Sequence, residues 1–197
     1  WRIGKNYTFA VRAFLGKSFG NDKQNFFLGG VPYLLGGGGE TNGVKDDSNF
    51  RQVILDTSNA MLIHDVYFTE YAWPLRGARF GERFGNNASL FNLEIRFPFI
   101  NYLALGFPLK MIFGNIRGHA FMDIGATWNS PKEFNTKTWP SRYGSKELGN
   151  YSPWVTTAGL GTKINLGYFL LKIEMAWDKN PNGYSKPQWY FSLGPDW

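Results

Sequence analysis

The stretch WVTTAGLGTKINLGYFLLKIEMAWD, residues 154–178, decides how the rest of the chain reads. Over 154–165, Trp154, Thr156, Ala158, Leu160, Thr162 and Ile164 form one alternate set. Val155, Thr157, Gly159, Gly161, Lys163 and Asn165 form the other. Past the turn signal Gly167-Tyr168 the alternation resumes, with Phe169, Leu171, Ile173, Met175 and Trp177 opposing Leu170, Lys172, Glu174, Ala176 and Asp178. A two-residue period belongs to a strand, whose successive side chains point to opposite faces. Two such segments about a tight turn predict a hairpin.

The same period recurs outward from there. Tyr7, Phe9, Val11, Ala13 and Leu15 oppose Thr8, Ala10, Arg12 and Phe14. Ser89, Phe91, Leu93, Ile95 and Phe97 oppose Leu90, Asn92, Glu94 and Arg96. Ala120, Met122, Ile124, Ala126 and Trp128 oppose His119, Phe121, Asp123, Gly125 and Thr127. Over 188–194, Trp189, Phe191 and Leu193 oppose Gln188, Tyr190, Ser192 and Gly194. Six strands are therefore legible. Residues 50–72 offer one or two more, around Gln52–Leu55 and His64–Thr69.

A soluble sandwich would alternate too, with its apolar face inward. Three features favour a membrane barrel. The segments approach the roughly 9–11 residues that cross a bilayer when tilted. Tyr7, Trp128, Trp154 and Trp177 stand at segment ends, where an interfacial girdle of aromatics belongs. The polar sets carry full charges (Arg12, Glu94, Arg96, Asp123, Lys163, Lys172 and Glu174), which suit a wet interior. Connections alternate as well: Gly167-Tyr168 is tight, whereas 129–153 is long and polar, the pattern of an outer-membrane barrel.

Composition agrees. Aromatics make up 18% of the 197 residues and charged residues only 18%, against roughly 25% charged in soluble domains. Such aromatic content excludes disorder, and no run reaches the roughly 18 apolar residues of a transmembrane helix. With no cysteine, disulfides and thiolate metal sites are excluded. The net charge of +6 comes from scattered residues without a basic run, so no nucleic-acid partner is expected. The opening Trp1-Arg2-Ile3-Gly4-Lys5 reads as the interior of a longer chain.

Enzyme motifs are missing. His64 and His119 are the only histidines, and neither has companions at metal-ligand spacing. There is no nucleophile elbow or P-loop; Gly36–Gly39 lacks the Lys-Ser/Thr of a phosphate cradle. The pair Ser89 and His119 is the sole imaginable hydrolytic couple. No catalytic residue, metal or cofactor is assigned.

The sequence becomes specific at Pro74-Leu75-Arg76-Gly77-Ala78, followed by Leu93-Glu94-Ile95-Arg96-Phe97-Pro98 and by Phe121-Met122-Asp123-Ile124-Gly125. That order resembles the bacterial surface antigen family, the C-terminal barrel of the BamA and TamA superfamily. The terminal Gln188-Trp189-Tyr190-Phe191-Ser192-Leu193-Gly194-Pro195-Asp196-Trp197 resembles the last strand of those barrels, with Trp189, Phe191, Leu193, Gly194 and Trp197 as its assembly signal. Leu75 before Arg-Gly and Ala78 after it depart from the insertase pattern. With Phe26-Phe27-Leu28-Gly29-Gly30, they look more like a branch that carries a TolB-like propeller ahead of the barrel.

The resemblance implies an all-β antiparallel transmembrane barrel, of which residues 1–197 are a C-terminal part with about six strands of roughly sixteen. It makes 21–87 a long loop region whose Arg76-Gly77 turn folds into the lumen and meets Glu94 and Asp123 beside Gly125. The implied role is non-enzymatic insertion or translocation of polypeptides at the bacterial outer membrane. The implied partners are outer-membrane lipid and lipopolysaccharide, client polypeptides and accessory envelope proteins. Two other readings compete: a self-contained eight-stranded barrel with a structural or adhesive role, and a soluble lipocalin-like binder.

Overall fold

A computed structural model of the chain describes residues 2–3, 6–31, 34–37, 69–72, 74–78, 83–105, 111–135, 153–166, 168–180, 183–184 and 186–194. Its strands are β1 (Arg2–Ile3), β2 (Tyr7–Lys17), β3 (Phe26–Leu28), β4 (Leu34–Gly37), β5 (Glu70–Ala72) and β6 (Arg83–Gly85). They continue with β7 (Asn87–Leu105), β8 (Met111–Trp128), β9 (Trp154–Asn165), β10 (Leu170–Asn180), β11 (Gly183–Tyr184) and β12 (Gln188–Gly194). Nine of them form one sheet in the order β1-β2-β7-β8-β9-β10-β12-β4, with β11 on β10, and every pairing in it is antiparallel. The six long strands β2, β7, β8, β9, β10 and β12 contain the six segments read from alternation, except that Phe169 falls in the turn just before β10. The sheet does not close on itself among the described residues.

The alternating pattern sets the faces, and burial shows which way they point. Asn92, Glu94, Asp123, Thr157, Lys163 and Glu174 are buried. Val11, Ile95, Leu160 and Trp189 on the opposite face are each about half exposed, at 52%, 49%, 50% and 51%. A sheet folded for water does the reverse, because apolar area removed from water drives its packing. An outward apolar face with an inward charged one is the arrangement of a wall in lipid. It rules out the soluble binder. At one end of the wall Phe134, in a short 3-10 turn, packs edge-on against both Trp128 (5.1 Å) and Trp154 (5.6 Å). At the other end the β9–β10 turn is closed by a hydrogen bond from the Leu166 N–H to the Phe169 carbonyl, 2.9 Å.

Region 21–87, read above as a long loop, carries β3, β4, β5 and β6 where it is described. β3 pairs with β5 in parallel and with β6 antiparallel, making a second, small sheet. The small sheet rests on the polar face of the wall: Leu28, Ala72, Leu75 and Ala78 cluster with Leu90 of β7 and Val155 of β9. Of 52–55 and 64–69, where additional strands were read, all but Thr69 lie outside the described residues, and Thr69 stands just before β5 without being in a strand.

Candidate functional site

Beyond β5 the chain pairs back on itself, Leu75 and Gly30 exchanging both backbone hydrogen bonds at 3.0 and 3.2 Å. This bridge delivers Arg76 onto the polar face. Gly77 follows with φ of 87°, a backbone that side-chain-bearing residues adopt at a cost. A Cβ there would also stand 3.1 Å from the Ala176 Cβ and 3.3 Å from the Trp177 carbonyl carbon.

The Arg76 guanidinium, 1% exposed, binds carboxylates from three strands. Its Nε donates to Asp123 Oδ2 (2.9 Å) and one terminal nitrogen to Asp123 Oδ1 (2.8 Å), a bidentate fork on β8. The other terminal nitrogen donates to Glu94 Oε2 of β7 and Glu174 Oε1 of β10, both at 3.0 Å. The Arg76 backbone N–H adds a bond to Asp123 Oδ2 at 3.1 Å. Beneath the guanidinium lies the Phe121 ring, its centroid 3.6 Å from the central carbon, a cation–π contact.

A second set of partners satisfies the carboxylates. Asn92 Nδ2 donates to Asp123 Oδ1 and to the Pro74 carbonyl, each at 2.8 Å. His119 Nε2 donates to Glu174 Oε1 at 2.9 Å. Lys163 Nζ and, at 2.6 Å, Arg96 Nε donate to Glu94 Oε1. Three carboxylates thus face Arg76, Arg96 and Lys163. Burial works against the Arg76 charge, yet Asp123, Glu174 and Glu94 outweigh it and hold its pKa well above the ordinary value. An ion-pair cluster this deep is tolerable because several donors share each carboxylate, four on Asp123, three on Glu94 and two on Glu174.

The register explains how these groups converge. Asn92, Asp123, Thr157 and Asp178 stand side by side in one row across β7, β8, β9 and β10. Arg96, His119, Gly161, Glu174 and Tyr190 stand in another that continues to β12. On β9, Gly159 leaves room for the Phe121 ring, and a Cβ at Gly161 would come within 2.6 Å of the His119 ring. Both notches let the rings of β8 lie flat on β9 below the arginine. The Gly77 N–H donates to the Tyr190 hydroxyl at 2.8 Å, and that hydroxyl donates to Gln188 Oε1 at 3.1 Å, so the turn also touches β12.

Of the residues singled out in the sequence, the structure brings Arg76, Gly77, Glu94 and Asp123 together. Gly125 lies apart from the guanidinium. A Cβ there would stand 2.8 Å from Leu28, so its bareness seats β3 of the small sheet. On β12, Trp189 and Phe191 are exposed and Gly194 is buried; Trp197 lies outside the described residues. Glu174, Tyr190, Asn92 and Phe121 were not assigned to the site. Alternation had put Glu174 on the charged face, but nothing in the sequence gives the distance from Arg76 across 98 positions. Ser89 pairs with Ala126 whereas His119 pairs with Arg96, far along β7, and His119 is engaged by Glu174. They form no hydrolytic couple; His64 lies outside the described residues. No cluster of metal-binding side chains occurs among the described residues.

An apolar outer face, a charged inner one and a covering segment locked by an arginine define a transmembrane β-barrel protein, here part of an outer-membrane barrel. The model of the Omp85 superfamily domain matches residues 4–197, and the chain belongs to that superfamily. It is the superfamily that the Arg-Gly, Phe-x-Asp-x-Gly and terminal-strand motifs resemble, and its members are non-enzymatic assembly and transport proteins of the bacterial outer membrane. Comparison with curated proteins and with solved structures gives no match.

Proposed function

We propose that this chain inserts or translocates polypeptides at the outer membrane, with the Arg76-Gly77 turn folded into the barrel lumen as an internal strut. The observation that carries the strut is the reach of one guanidinium to carboxylates on β7, β8 and β10. A wall that must admit a polypeptide needs local give without falling open. A strut anchored by charge rather than by strand pairing ties distant strands while leaving the ladder hydrogen bonds untouched. Clients are polypeptides arriving on the short-turn side. The apolar outer face meets lipid and lipopolysaccharide, and accessory envelope proteins are further partners. β12, with Trp189, Phe191, Leu193, Gly194 and Trp197, serves as the strand read by the assembly machinery.

The test separates the two parts. Depleting the protein should lower the abundance of other outer-membrane barrels or of exported polypeptides. An unchanged outer-membrane and exported protein profile sinks the polypeptide role. Arg76→Ala should lower the heat-modifiable, folded form and its level in the membrane. A variant with normal migration and normal levels sinks the strut.

A further inference from the structure

The longest hairpin in the wall outruns its neighbours. Pairing of β2 with β7 stops at Arg96, and pairing of β9 with β8 stops at Arg117. Beyond those points β7 and β8 continue to Leu105 and from Met111, paired, among the described residues, only with each other. At about 3.3 Å per residue, 99–105 extends this ribbon by roughly 20 Å, on the same side as the tight β9–β10 turn. A bulge between Pro98 and Ile100 sits where the ribbon leaves the sheet, and bulges bend the strand that carries them.

Composition changes at the same place. Along 97–116, FPFINYLALGFPLKMIFGNI, the single charge is Lys110. β7 carries no charge there: Phe97, Pro98, Phe99, Ile100, Tyr102, Leu103, Ala104 and Leu105 are apolar or aromatic, and Asn101 is the one amide among them. In β7 up to Arg96 one set is charged and the other greasy. A two-stranded ribbon with so little polar sequence has no standing in water, since an isolated hairpin is marginal even when amphipathic. Yet Phe99 is 58% and Tyr102 64% exposed. Something covers them.

We infer that this ribbon, Phe97–Leu105 with Met111–Ile116, is a lipid-embedded anchor lying in the interfacial layer of the leaflet on the short-turn side. Continuity with the wall selects lipid over protein. Phe91 and Ile95, exposed on the outer face of the same β7, already face hydrocarbon. A protein partner would be expected to meet a polar rim and hydrogen-bonding groups, and the ribbon offers little beyond Asn101 and Asn115. Tyr102 has the amphipathic ring favoured at a bilayer interface. Phe99 and Tyr102 would lie among the lipids and tether the barrel at the ends of β7 and β8.

The chain has no cysteine, so single-cysteine spin labels report cleanly in the intact protein in bilayers. Labels at Phe99→Cys and Tyr102→Cys are compared with Leu160→Cys on the lipid-facing wall and Lys132→Cys in the exposed 3-10 turn. Expected are frequent collisions with oxygen and rare ones with a water-soluble nickel chelate at both ribbon sites, matching Leu160. Nickel access like that at Lys132, with Leu160 still lipid-like, overturns the anchor and places the ribbon in water. Low access to both reagents overturns it in favour of a protein partner. An aqueous signal at Leu160 overturns the lipid-facing wall and the anchor with it.

Discussion

The Tyr190 hydroxyl accepts a hydrogen bond from the Gly77 N–H at 2.8 Å, joining a turn to a strand 113 residues later in the chain. Both groups are buried, and Tyr190 is completely enclosed. The bond links the arginine turn to β12, a fourth strand beside the three whose carboxylates bind the guanidinium.

Removing that hydroxyl leaves the Gly77 N–H without its acceptor, and Gln188 loses a donor. An orphaned buried donor costs about 1–3 kcal/mol. Tyr190→Phe should therefore lower the temperature at which the folded, fast-migrating band disappears, while keeping the Arg76 ion pairs. Gly77→Ala attacks the same turn through its backbone, at about 1–2 kcal/mol for the left-handed conformation, plus the close approach to Ala176. Thermal migration profiles of both variants identical to the unaltered protein would show that the turn does not bear on barrel stability.

At Arg76 the form of the charge should matter as well as its sign. Arg76→Lys retains a cation but not the planar fork that grips Asp123 while reaching Glu94 and Glu174. Arg76→Ala takes the shared cation from three buried carboxylates, leaving Glu94 with Arg96 and Lys163, Glu174 with His119 and Asp123 with Asn92, a loss of about 3–5 kcal/mol. Lys should fall between Arg and Ala in folded fraction. A Lys variant as stable as the original would mean that only net charge matters.

If the damage in Arg76→Ala is a stranded carboxylate, neutralising one should repair part of it. Asp123 is the best choice, because Arg76 and Asn92 hold it, whereas Glu94 and Glu174 keep Lys163, Arg96 and His119. Asp123→Asn alone should destabilise. Combined with Arg76→Ala it should cost less than the sum of the two single changes, a coupling that a double-mutant cycle reads directly. Strict additivity in urea unfolding would break the claim that the two residues act as a unit.

What could be read from sequence follows from the range of each signal. Alternation is local, so β9 and β12 have the bounds that the pattern implies. β7 and β8 run on past 97 and before 119 because Phe99, Ile100 and Tyr102 break the polar–apolar alternation without ending the strand. The small sheet escaped detection because β3, β5 and β6 are three residues each, too short for a period. Glu94 and Asp123 could be named beside Arg76 only through the order of motifs that resembles a family. Glu174 and Tyr190 enter through register across β9 and β10, and that is a property of pairing, not of spacing along the chain.

Gly125 gives the last test, of how the covering sheet is seated. Leu28 fills the space a side chain would occupy, with its Cδ2 2.8 Å from the ideal Cβ position. Leu28 is fully buried and belongs to the cluster that holds β3 on the wall. Gly125→Val should force Leu28 outward, and overpacking of this kind costs about 1–3 kcal/mol. The bridge between Gly30 and Leu75 would be displaced with it, and so would the aim of Arg76. Leu28→Ala vacates the space, so the double variant should recover folded protein relative to Gly125→Val, although Leu28→Ala alone is destabilising by about 2–5 kcal/mol. Protease digestion of membranes provides the readout: a dislodged cover exposes β3, Leu75 and Arg76 to cleavage while β7 and β8 stay protected. Equal protection of β3 and the Leu75–Arg76 turn in the Gly125→Val variant and the unaltered protein would mean that Leu28 does not need the bare glycine.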